Sequence, residues 1–201
     1  MRIPSKQQAL GMLEEAGTVN PGEWIGHSYN VAKAAETISS FCPGMNPEYF
    51  FILGLLHDIG RKDGIKDVRH AYDGYVFLNS LGFDHTAMIC LTHAYPTGEI
   101  DLVIGKNDLT VQENDLVASI VHNHTYDDYD RLIHLCDMLS YPEGFVILEK
   151  RLVDIGMRKG LESHHLKWWK SSFGCKKYFE KMAGKNLYDI LPDVKENTFK
   201  L

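Results

Sequence analysis

Residues Phe50-Phe51-Ile52-Leu53-Gly54-Leu55-Leu56 form an unbroken apolar run, and the next two residues are His57 and Asp58. Such a run, with no polar alternation, belongs inside a core, and Asn46-Pro47-Glu48 just before it supplies a cap, a first-turn proline and an acidic first turn. A helix buried on all sides is therefore predicted through Leu56 toward Gly60, with Gly60 as a left-handed terminating residue. Ending a buried helix on an imidazole and a carboxylate costs free energy unless something pairs with them. Either the pair serves as an ordinary helix end, its carbonyls satisfied by the histidine, or it holds a metal ion.

Helical signals continue along the chain. Asn20-Pro21-Gly22-Glu23 predicts a helix start capped by Asn20, and the stripe that follows reads Trp24, His27, Val31, Ala35, Ile38. Asp67 to Gly82 forms another helix with His70, Gly74, Phe77, Leu78 and Leu81 on one face. Asp84 caps a shorter one carrying Met88, Ile89 and His93, which stops before Tyr95-Pro96-Thr97-Gly98. Residues 96–111 hold turn formers and charges and read as a mobile loop, in which Ile100 to Ile104 has some extended character. Helices resume near Glu113, near Asp128, after Pro142 and after Ser163. The expected fold class is all-α, a compact single-domain helical bundle over residues 1–201. Its core lies at about residues 20–141, and helices within 142–201 pack on it.

Composition narrows the function. The chain has 201 residues, enough for one domain with a real core, and carries a net charge of −6. No segment clusters Lys and Arg as a polyphosphate backbone requires, so long nucleic acid is not an expected partner. Cys42, Cys90, Cys136 and Cys175 are scattered among apolar residues with no C-x-x-C spacing, and read as core residues of a reducing cytoplasm. The N-terminus lacks a hydrophobic signal core, and no apolar run reaches the ~20 residues needed to cross a bilayer. A cytoplasmic protein with no membrane association is expected.

Two further positions give the doublet its meaning: His27 lies on the apolar stripe of an upstream helix and Asp137 on that of a downstream one. The ordered set His27, His57-Asp58, Asp137 resembles the HD-domain superfamily of metal-dependent phosphohydrolases. The resemblance is carried by His27-Ser28-Tyr29-Asn30-Val31-Ala32, by Leu55-Leu56-His57-Asp58-Ile59-Gly60-Arg61 and by Leu135-Cys136-Asp137-Met138-Leu139, and runs from about Trp24 to Leu139. It implies that His27, His57, Asp58 and Asp137 share a metal ion, and that His57 and Asp58 sit at the catalytic centre of a phosphohydrolase. That enzyme would cleave a phosphate ester or anhydride of a small molecule, a nucleotide first, by metal-activated water. Imidazole and carboxylate together suit Fe, Mn, Co, Ni or Zn. Arg61, beside the doublet, either holds a phosphate oxygen in catalysis or is a solvated helix-end arginine. His70 and His93 match the extra histidines that add a second ion in part of the superfamily, with Asp58 as the bridge. Their alternative is a satisfied core or substrate-contacting histidine. Two other functions fit the same residues: a di-iron oxygenase that cleaves a C–C or C–P bond, and a non-catalytic module that senses a nucleotide.

The remaining candidates are weaker. His134, one turn before Asp137, reads as capped or half-buried, with a supporting role behind the ligands as its alternative. His85 is expected at the surface, and His122-Asn123-His124 in a loop beside the pocket, since i and i+2 do not share a helix face. His164-His165 with Lys167 and Lys170 reads as a solvated basic helix start. Trp168-Trp169, Phe173 and Tyr178-Phe179 read as core or as a homodimer contact. Lys150-Arg151 and Lys176-Lys177 are expected on ordinary exposed faces.

Overall fold

The apolar run is a helix, α3 (Pro47–Leu56), and every residue from Phe50 to Leu56 is buried in it. The computed structural model describes residues 1–161 and 165–200. Asn46 caps α3 as expected, its side chain accepting from the Tyr49 amide at 3.3 Å. Its chief neighbour is α2 (Glu23–Ser40), the most extensive helix pairing in the fold. Gly54 permits that approach: a Cβ there would sit 2.9 Å from the Ala32 Cα.

The start of α2 differs from expectation. Gly22, not Asn20, is its N-cap, and no side chain caps it. Asn20 instead ends α1 (Lys6–Val19), and its side-chain amide donates to the Arg61 carbonyl at 2.6 Å. A tie between distant segments has displaced the local cap. Similarly, Asp84 lies within the first turn of α5 (Asp84–Thr92) and accepts from the Arg2 backbone at 2.6 Å rather than capping its own helix. Between these, α4 (Arg69–Ser80) occupies the interior of the predicted Asp67–Gly82 segment.

Residues Ile100–Leu102 form a 3-10 turn rather than an extended piece. Capping boxes start the next two helices, Thr110 with Glu113 for α6 (Val111–Asn123) and Asp127 with Asp130 for α7 (Asp128–Leu139). A two-residue hairpin, β1 (Ser140–Tyr141) against β2 (Gly144–Phe145), then leads into α8 (Leu148–Lys159). The described chain ends with α9 (His165–Ala183), α10 (Leu187–Ile190) and α11 (Val194–Phe199). The fold is all-α, with that hairpin as the sole sheet among the described residues.

The C-terminal helices pack on the rest. Trp168, Phe179 and Leu187 share one buried cluster with Val31 and Ile38 of α2, Leu53 of α3 and Leu132, Leu135 and Leu139 of α7. A second cluster joins Leu13 of α1 to Phe51, Leu55 and Leu56 of α3, Leu78 of α4 and Ala87 of α5. Each buried Leu or Phe of this kind contributes about 1.5–3 kcal/mol relative to exposure. The two clusters clamp α3 from either side, so its last turn is held in place. No helix among the described residues is long and apolar enough to cross a membrane.

Candidate metal centre

His57 ends α3 with helical angles (φ −56°, ψ −34°), and Asp58 leaves the helix at φ −103° and ψ 13° to begin a 3-10 turn over Ile59–Asp63. That change of path turns both side chains of the doublet toward one region, which two adjacent residues of a regular helix cannot do. Gly60 is not the left-handed terminator expected from the sequence. It lies in the 3-10 turn, outside the positive-φ glycines. A Cβ on Gly60 would collide with the His70 carbonyl oxygen and the Gly74 amide nitrogen, so the turn presses directly on α4. This contact sets His70 beside Asp58.

The imidazoles are oriented by backbone carbonyls, which can only accept. His57 Nδ1 donates to Gly54 O at 2.7 Å, His93 Nδ1 to Ile89 O at 3.2 Å, and His70 Nδ1 to Asp67 O. In a neutral ring so bonded the lone pair resides on Nε2. The Nε2 atoms of His70 and His93 lie 3.3 Å apart and stand 3.0 and 3.5 Å from Asp58 Oδ1. His57 Nε2 and Asp58 Oδ1 are both sealed from solvent without a hydrogen-bond partner. Acceptors facing acceptors in a buried site are unfavourable unless positive charge lies among them. Arg61 supplies part of it, donating from Nε to Asp58 Oδ2 at 2.5 Å and from Nη2 to His70 Nε2 at 3.3 Å. The remaining orphan atoms suit a divalent ion, and their type, imidazole nitrogen with carboxylate oxygen, suits a borderline transition metal.

Two groups of three can each hold such an ion: His27, His57 and Asp58 form one, and Asp58, His70 and His93 the other, each with ligand atoms within 4.8 Å of one another. Asp58 belongs to both. Asp137 stands beside the first group, with Oδ1 3.0 Å from His27 Nε2. Burial pushes the His57 pKa down to about 4, against the pull of Asp58, so that ring is neutral at neutral pH. Burial alone would raise the Asp58 pKa, but Arg61, His57 and His70 outweigh it and hold the carboxyl well below the usual range. Asp137 is held low in the same way, burial being outweighed by the His27 hydrogen bond and neighbouring charges.

Above these groups opens a cavity of about 520 Å³, lined by His27, Asp58, Arg61, His70, His93 and Asp137 at one end. Trp24, Ile65, Val68, Ile104, Met138, Ile155 and Trp168 give it apolar walls. Lys66, Arg151, Arg158 and Lys159 add cations, despite the acidic balance of the chain.

Several residues lie elsewhere than the sequence suggests. Arg151, expected on an exposed face, lines this cavity with its side chain 16% exposed. Lys176 is likewise mostly covered, paired with Glu180 at 2.6 Å. His85 is buried, bonded to the Tyr49 hydroxyl at 2.6 Å, and His165 is buried too. His134 is buried rather than half-exposed. It contacts Ser172 Oγ at 3.0 Å and the His93 carbonyl at 3.4 Å, one layer behind the centre. His124 pairs with Asp130 at 2.9 Å, outside the cavity lining. His164 lies outside the described residues.

Residues 24–191 match the family model of the HD domain, and the chain belongs to that family. The match runs from α2 through α10, well past the Trp24–Leu139 stretch that carries the sequence motifs. Comparison with curated proteins and with solved structures gives no match.

Proposed function

We propose that this chain is a metal-dependent phosphohydrolase acting on a small phosphorylated molecule, with a nucleotide as the favoured substrate class. In this reading His27, His57, Asp58 and Asp137 hold one ion, and His70 and His93 complete a second site that shares Asp58. The observation that supports it is the pair of buried, unpartnered acceptor atoms, His57 Nε2 and Asp58 Oδ1, at the base of a cavity that Asp58 lines. A bound dication supplies Lewis acidity toward a phosphoryl oxygen and makes a coordinated water acidic enough to attack near neutral pH.

The protein's own groups prepare the site. The Gly54, Asp67 and Ile89 carbonyls fix the faces that His57, His70 and His93 present. Arg61 keeps Asp58 ionised and brings a cation to the place where a phosphate would arrive. The cavity of about 520 Å³ suits a small molecule, with Trp24 and Trp168 as flat apolar surfaces for its non-phosphate part.

Elemental analysis of freshly purified protein, followed by phosphate release from nucleoside monophosphates, cyclic nucleotides and dinucleoside polyphosphates with Mn, Fe, Co, Ni and Zn, tests the reading. A loaded protein that releases no phosphate from any of them overturns it. The two groups sharing one carboxylate also suit a di-iron oxygenase. Two irons per chain with dioxygen consumption and no phosphate release would establish that alternative, and nucleotide binding without product would indicate a sensor.

A further inference from the structure

Among the cations that line the cavity, Arg151 stands apart. Arg61, Lys66, Arg158 and Lys159 each touch a carboxylate, at 2.5 Å (Asp58), 2.6 Å (Asp73), 2.9 Å (Asp154) and 2.5 Å (Asp67) respectively. The Arg151 side chain makes no hydrogen bond among the described residues. Its nearest carboxylate oxygen, Asp137 Oδ1, is 3.7 Å from Nη2 and already lies 3.0 Å from His27. Its Nε is buried with no acceptor. The guanidinium rests 5.0 Å above the Tyr141 ring, which holds the side chain in place without using any of its N–H donors.

A mostly covered guanidinium whose N–H groups meet no hydrogen-bond acceptor, positioned beforehand and lining a cavity next to carboxylates and imidazoles, is set to receive an anion. The planar guanidinium matches two oxygens of a tetrahedral oxyanion, whereas a lysine would offer only a point charge. We propose that Arg151 is the substrate-binding residue that receives the terminal phosphoryl oxygens in this cavity. It is supplied by α8, beyond the stretch that carries the motif residues. The assignment deepens the phosphohydrolase reading and rests on it for the choice of phosphate over other anions.

The test is titration calorimetry of the metal-loaded full chain with inorganic phosphate, beside steady-state hydrolysis of p-nitrophenyl phosphate and elemental analysis. Arg151→Gln should weaken phosphate binding and raise KM by about 10–100-fold, with metal content unchanged. Arg151→Lys, which keeps the charge but loses the fork, should recover part of the affinity. It also serves as the measured variant if Arg151→Gln does not fold, a several-fold weakening then being expected.

Phosphate affinity equal to wild type in these variants, or loss of metal along with it, overturns the assignment; so does a wild type that binds no phosphate. The two readings fail separately. If no ester is turned over but wild type binds phosphate and Arg151→Gln does not, the hydrolase reading falls and the Arg151 assignment stands. If hydrolysis proceeds and Arg151→Gln binds phosphate like wild type, the reverse holds.

Discussion

His57 Nδ1 donates to the carbonyl oxygen of Gly54 at 2.7 Å, and Gly54 is the residue at which α3 presses against the backbone of α2. Core packing therefore decides which nitrogen of His57 is left for a ligand. The same helix end turns Asp58 into both three-residue groups, which makes it the most consequential of the candidate ligands.

Asp58→Ala is accordingly expected to lose more metal than any other single variant, and to lose turnover with it. His27→Ala and His93→Ala should each retain part of the metal, since each leaves one group of three intact. Elemental analysis of the purified variants checks this. Full activity in a metal-stripped Asp58→Ala protein would rule out the mechanism.

Metal should also stabilise the fold, because it satisfies atoms that are buried without partners in its absence. At a free ion concentration roughly 100 times Kd the gain is about 3 kcal/mol. Thermal unfolding before and after chelation, then after adding the ion back, should show a reversible drop in Tm. An unchanged Tm would mean that the orphan acceptors of His57 and Asp58 are satisfied in some other way.

Gly60→Ala should destabilise the protein by about 3 kcal/mol, the upper range for overpacking, since the added methyl meets backbone of α4 rather than a flexible side chain. For a chain of this size that is a fall in Tm of about 6–12 °C. A fall of less than about 2 °C would mean that the turn can slide away from α4 at little cost. Metal affinity should weaken too, because the same contact places His70.

Acid should unfold the chelated protein early. Burial lowers the His57 and His134 pKa values from 6.5 to about 4, so between these two pH values the unfolded chain takes up protons that the folded chain refuses. Their contribution is complete above pH 6.5 and declines as pH falls toward 4, by about 3 kcal/mol for each ring. Denaturation midpoints of the chelated protein across that window should show the decline. His134→Asn, which leaves the candidate ligands in place, should flatten it, and an unaltered slope would contradict the burial of that ring.

The elements that were legible from sequence are those whose local and tertiary preferences agree. The apolar run to Leu56, its Asn46 cap, and the stripes carrying His27 and Asp137 all point the same way as the packing. Asn20 misled because its side chain bonds to the Arg61 carbonyl, a partner far away in sequence. Gly60 carried the right residue for a different reason, close approach instead of a left-handed turn, and a single sequence does not separate the two. Arg151 was hidden by its neighbour. Lys150 and Arg151 look like any basic pair on an amphipathic helix, but Lys150 reaches the carbonyls of Asn197 and Thr198 while Arg151 points into the cavity. His85 follows the cap candidate Asp84 and so reads as surface, but Tyr49 of α3 and Tyr129 of α7 pack on it; His165, beside Lys167 and Lys170, reads as solvated and is buried.

All six candidate ligands precede β1, whereas Arg151, Ile155, Arg158, Lys159 and Trp168 come after it. The groups that would grip an ion thus come from one stretch of polypeptide, whereas the space above them is closed by residues from both sides of a hairpin of minimal length. Descent with modification can redraw the second stretch, altering which molecule is admitted, while every ligand in the first stays where it is.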